Sequence, residues 1–160
     1  MVKKIDVLIV DDRSVDAETT LFALRHATTH DAKFLRLRDG DEALRYLFGL
    51  GEFARRSAGV PDLLLLDADM PVASGQCILD IIRAHPATSG MRVIMLTTDS
   101  RPRWPDRSEF SPDSYLLKSQ DFDQYCAAMQ LMVKRWLPRI LKAHHQRAWP
   151  ALQRLTLRSI

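Results

Sequence analysis

The chain has 160 residues, 46% of them apolar and 27% charged, and carries a formal net charge of +3. That length suits one domain with a real core. No apolar run approaches the roughly eighteen residues of a membrane-spanning helix, and Asp6 and Asp11-Asp12 interrupt the apolar start without a small-residue cleavage site, so a cytoplasmic protein is expected.

Ile5–Val10 is an apolar run ending at Asp11-Asp12 and reads as a first buried strand. Ser14 is a plausible N-cap, and Val15, Leu21, Phe22 and Leu24 give a helical period to about Ala27. Residues 33–38 alternate as a second strand, and Asp39-Gly40-Asp41 is a turn. Ala43, Leu44, Leu47 and Phe48 start a second helix that frays near Gly49 and Gly51. Four leucines, Leu63 to Leu66, then run straight into Asp67. Such a run reads as a strand buried on both faces, with Asp67 at its carboxyl end.

A third helix begins at Gly75 with Cys77, Ile78, Ile81 and Ile82, and stops near His85-Pro86. Residues 91–96 form a fourth strand ending at Thr97-Thr98, and Ser114–Leu117 a fifth ending at Lys118. Pro102, Pro105 and Pro112 leave no room between those two strands for an ordinary helix, so a loop with one turn near Arg107 is expected there. From Asp121 a last helix places Tyr125, Met129, Met132, Val133 and Trp136 on one side, as core or dimer surface. Strand and helix alternate with short connections, which implies a parallel sheet covered on both faces. Cys77 and Cys126 have no metal-ligand spacing and read as reduced core thiols.

In a parallel sheet the strand ends Asp11-Asp12, Asp67, Thr97 and Lys118 share one rim. Three crowded carboxylates repel one another unless a cation sits among them, and hard oxygen ligands suit magnesium. A metal held by Asp12 and Asp67 leaves one Asp67 oxygen free as a nucleophile. A phosphoryl group arriving there needs the metal, a lysine and a hydroxyl, and Lys118 and Thr97 supply the last two.

Asp11-Asp12, the Asp67-x-x-Met70-Pro71-x-x-x-Gly75 motif, Thr97, Tyr115 and Lys118 come in the order and spacing of a response-regulator receiver domain, which the chain resembles from about Lys4 to Val133. The resemblance implies a flavodoxin-like doubly wound α/β fold with five parallel strands in the order 2-1-3-4-5, here with a degenerate fourth helix and a C-terminal extension. It implies that Asp67 accepts phosphate from a histidine kinase or phosphotransfer protein. It also implies magnesium bound by Asp12, Asp67 and the Asp69 backbone carbonyl, with Asp11 assisting, and Thr97 and Tyr115 as a switch pair. Such a receiver is no enzyme beyond its own phosphorylation and dephosphorylation, and would signal through protein contacts without a DNA-binding output domain. The stretch from Asp39 to Leu47, Leu96-Thr97-Thr98 and the Phe122 to Leu137 ending are similar to regulators paired with bacterial phytochrome kinases.

This chain departs from the family at Ser119, where a proline joined by a cis bond usually follows the lysine. A cis bond to a non-proline residue costs about 3–4 kcal/mol, so the isomer of Lys118–Ser119 stays open. Two rivals are kept. Leu66-Asp67-Ala68-Asp69 also fits the motif of haloacid-dehalogenase-type phosphatases, though those carry it on the first strand. A phosphate-independent dimeric adaptor with a vestigial site is the other.

No acidic residue follows Asp123, and seven basic ones lie between Lys134 and Arg158. The body before Lys134 holds 16 basic against 20 acidic residues, net −4, and the remainder holds +7. Pro138 is expected to break or kink the last helix. The division expected is a receiver over residues 1–137 and a basic, partly helical extension over 138–160, with a short helix from about Pro150. A basic tail on an acidic body suggests a homodimer. Membrane binding is not expected, and the tail shows no recognised nucleic-acid fold.

Overall fold

The computed structural model describes residues 4–56, 59–100 and 112–156, the last thirteen of these as backbone only. Strands β1 (Ile5–Val10), β2 (Ala32–Leu37), β3 (Leu63–Asp67), β4 (Arg92–Thr97) and β5 (Ser114–Leu117) form one sheet in the order β2-β1-β3-β4-β5. Every neighbouring pair is parallel. The helices are α1 (Ser14–Ala27), α2 (Gly40–Phe48), α3 (Gly75–Ala84) and α4 (Phe122–Thr156), with a 3-10 turn at Gly51–Phe53. The doubly wound order expected from the resemblance is therefore present.

The leucine run explains the two-layer core. Side chains alternate across a strand, so Leu63 and Leu65 enter one core while Leu64 and Leu66 enter the other. β1 does the same, with Val7 and Ile9 on the first side and Leu8 and Val10 on the second. The first core lies under α1 and α4, and the second under α2 and α3.

Three local expectations change. Arg13, not Ser14, occupies the cap position of α1, and it makes no side-chain capping bond. Val15 and Phe22 lie outside, 71% and 47% exposed. The expected Leu24 is buried and Leu21 packs beside it, but the rest of the inner face is Ala17, Thr20 and Ala23, because small residues let α1 pack closely beside α4. Cys77 is an exposed thiol rather than a core one, while Cys126 is half-buried against the edge of the first core.

α4 does not end at Pro138 but runs to Thr156, and the separate helix expected from Pro150 is the end of this same helix. Tyr125, Met129, Met132, Val133, Trp136 and Ile140 keep facing the first core. Ile140 lies beyond the proline and is buried, so tertiary packing carries the helix past the missing backbone donor. The segment 101–111, with the turn expected near Arg107, lies outside the described residues, as do the side chains of the tail from residue 144 on.

Candidate functional site

The carboxyl ends of β1, β3, β4 and β5 converge as the strand order requires. β1 passes into Asp11, which is fully buried, and Asp12, which is partly exposed. Asp67 is the last residue of β3 and is also buried. Oxygens of Asp11, Asp12 and Asp67 lie within 4.8 Å of one another. The register makes this meeting necessary, because Val10 pairs with Leu66 and the acids follow directly.

Gly75 fixes how close α3 comes to this end. A Cβ on it would overlap the Asp67 carbonyl oxygen and the Ala68 backbone, while its N–H donates to the Ala68 carbonyl at 3.1 Å. Ser74 caps α3 by accepting the Cys77 N–H. Between β3 and α3, Val72 has φ +70°, and the Ala73 N–H donates to the Pro71 carbonyl at 2.8 Å. That is a γ-turn in a left-handed conformation that a β-branched residue adopts only under strain.

Lys118 follows β5 and reaches into the cluster. Its Nζ is 2.8 Å from Asp11 Oδ2 and 3.1 Å from Asp67 Oδ1. It also lies 3.2 Å from Asp16 Oδ2, in the first turn of α1. No peptide bond among the described residues is cis, so Lys118–Ser119 is trans and the ammonium still reaches Asp67. Burial works against the Lys118 charge, but the Asp11 and Asp67 carboxylates outweigh it and raise its pKa. Burial also raises the Asp67 pKa, aided by Asp11 and opposed by Lys118 and the Asp69 N–H.

One lysine does not neutralise three carboxylates. Asp12 Oδ1 is buried and has no hydrogen-bond partner among the described residues. An orphaned carboxylate oxygen inside a ring of acids is the donor set a hard divalent cation takes. The residues present therefore fit a metal such as magnesium.

The other expected residues stand close by with different partners. Thr97 ends β4 and is buried, and its hydroxyl accepts the Asp99 N–H at 3.0 Å. The Asp69 N–H donates to Asp67 Oδ1 at 3.3 Å, while its carboxylate accepts the Thr98 hydroxyl at 3.1 Å. Tyr115 pairs with Met95 and Leu117 with Thr97, so Tyr115 lies two steps back from Thr97 on the same sheet face, 38% exposed. Asp16 was not singled out from the sequence. Its spacing, four residues after Asp12 and one helical turn into α1, is the signal that places it near the rim.

A family model for the response regulator receiver domain matches residues 7–130. Response regulator Rcp1 of Synechocystis sp. is 29% identical over 132 residues, covering 82% of this chain and 88% of that protein. The crystal structure of Rcp1 in its Mn2+-bound form superposes with a TM-score of 0.71 at 28% identity, covering 82% of this chain and 94% of that one. The phosphorylated cyanobacterial phytochrome response regulator RcpA superposes with a TM-score of 0.73 at 27% identity, covering 84% and 95%. The bacteriophytochrome response regulator AtBRR gives 0.67 at 30% identity, covering 80% and 91%.

Proposed function

The chain belongs to the response regulator receiver domain family and is similar to its phytochrome-associated members, and on that premise we propose that Asp67 accepts a phosphoryl group from a sensor histidine kinase or a phosphotransfer protein. The observation that carries this reading is the placement of Asp67, buried at a strand end between two further acids and 3.1 Å from Lys118. An Asp67 carboxylate oxygen forms the new P–O bond. The P–N bond to the donor imidazole breaks, and its electron pair stays on that nitrogen. Lys118 and the Thr97 hydroxyl offset the charge on the phosphoryl oxygens as they pass through the trigonal arrangement. Asp12, Asp67, Asp11 and the Asp69 backbone carbonyl would hold magnesium, which when bound supplies further positive charge against those oxygens.

Thr97 now accepts the Asp99 N–H. In the phosphorylated state its hydroxyl turns to the phosphoryl group, and the half-exposed Tyr115 side chain turns inward behind it. The receiver performs no other reaction, acts in the cytoplasm and signals by protein contacts. Its phytochrome-associated relatives support a bacteriophytochrome as the kinase. The +7 on the chain from Lys134 onward, against −4 on the body, supports a homodimer. Removing residues 144–160 is expected to leave monomers by light scattering.

The test of the central step is phosphotransfer from candidate kinases, read by intact-protein mass. Addition of one phosphoryl group to the wild type and none to Asp67→Asn is expected. Equal labelling of the variant would overturn the assignment. Lys118 within reach of Asp67 supports a working site over a vestigial one.

A further inference from the structure

We propose that Asp16 is a positioning residue for Lys118, the carboxylate that holds the ammonium in place when Asp67 is modified. This rests on the reading of Asp67 as phosphoryl acceptor. An ammonium has three N–H donors, and Lys118 Nζ has three carboxylate neighbours, Asp11 at 2.8 Å, Asp67 at 3.1 Å and Asp16 at 3.2 Å. The three are not equivalent. Asp11 and Asp67 belong to the acid cluster, whose oxygens lie within 4.8 Å of one another and whose charge is shared with any cation bound there. Asp67 also loses its free carboxylate once it carries a phosphoryl group. Asp16 is outside that cluster and is not itself modified.

Its placement suits the task. Asp16 sits in the first turn of α1, where it also pairs with the exposed Arg13, 3.6 Å away. Together with Thr98, Lys118 and Ser119 it lines a cavity of about 390 Å3 that neither Asp11 nor Asp67 borders. Asp16 therefore meets the ammonium from the cavity side. The backbone after Lys118 provides less restraint than a proline would, because Ser119 has no ring fixing its φ and its hydroxyl is taken by the Asp121 N–H at 3.1 Å. Fixing a long flexible lysine by a second carboxylate is the side-chain equivalent of that lost restraint.

The experiment is a double-mutant cycle on the full chain, following phosphorylation by a small acyl phosphate with magnesium present. Asp16→Asn is expected to slow labelling about tenfold, the usual size of losing a group that orients a reacting one. In a Lys118→Ala background the same substitution is expected to slow it no further, since the residue acts only through Lys118. A purely structural role would slow both backgrounds alike. That result, or no slowing at all, overturns the proposal. An independent arm measures acylation of Lys118 by an amine-reactive ester, read by peptide mass. Asp16→Asn is expected to raise that rate several-fold, and an unchanged rate also overturns the proposal. If the wild type accepts no phosphoryl group, the reading of Asp67 fails, and the acylation arm alone decides the role of Asp16.

Discussion

The two ends of the sheet both bury acids, and they treat them in opposite ways. At the amino end, Asp62 accepts the Asp6 N–H at 2.9 Å. Asp113 is bound by Arg83 at 2.9 Å, Arg92 at 3.0 Å and the Val93 N–H at 2.8 Å. At the carboxyl end three carboxylates crowd together, Lys118 pairs with Asp11 and Asp67, and Asp12 Oδ1 has no hydrogen bond among the described residues. Asp113 is saturated by two arginines and a backbone N–H, and both acids of the amino end tie strands together. Those of the carboxyl end are left short of positive charge, which is a cost in the resting protein and the basis of affinity for a cation.

The most direct way to break this contrast is to remove an acid from the saturated end. Asp113→Ala leaves the largely buried Arg83 without its carboxylate and is expected to cost about 3 kcal/mol in urea unfolding. The deficient end answers to metal instead. Magnesium at about a hundred times its dissociation constant is expected to stabilise the wild type by about 2.7 kcal/mol. The gain should be largely absent in Asp12→Asn, and melting curves with magnesium and with a chelator check it.

A saturated group next to the site sharpens the comparison. Tyr125 is buried, and its hydroxyl shares a 2.7 Å hydrogen bond with Thr20. Burial pushes its pKa up to about 12, above the ordinary value of 10.0. The folded protein then keeps a proton that the unfolded chain releases between those values. Stability is full below about pH 10 and falls as pH rises to about 12, by about 1.4 kcal/mol per pH unit at most. Unfolding of Tyr125→Phe should lack this part of the alkaline loss. Removing an acid from the deficient end should have the opposite sign to Asp113→Ala. Asp12→Asn in chelator is expected to raise stability by about 1 kcal/mol, since it relieves like-charge crowding. The smallest effect concerns strain stored beside the site. Val72→Gly frees the φ of +70° and is expected to add about 0.5 kcal/mol, the relief being partly offset by glycine's greater unfolded-state entropy.

Much of this was legible because it depends on local pattern. The leucine run before Asp67 has no polar residue to show water, so it had to be a central strand. Alternating strand and helix signals then forced a parallel sheet, and a parallel sheet forces Asp11, Asp12, Asp67, Thr97 and Lys118 to one rim. The inner face of α1 was legible only at Leu21 and Leu24. Val15 and Phe22 have the chemistry of core residues, yet the close approach of α4 selects Ala17, Thr20 and Ala23 instead. Pro138 carried a correct local rule that lost to packing, because Ile140 beyond it is buried in the same core as Trp136.

The sequence by itself determined the element types, the sheet and the identity of the acids and the lysine at its rim, since periodicity and strand ends are properties of neighbours along the chain. Tertiary structure alone decided what each of those groups touches. It brought Asp16 to Lys118 across 102 positions of chain, kept the ammonium within reach of Asp67 through a trans bond, and left one Asp12 oxygen without a hydrogen bond among the described residues. Such contacts depend on how α1 and β5 are docked against the same sheet, and no spacing within either segment encodes that distance.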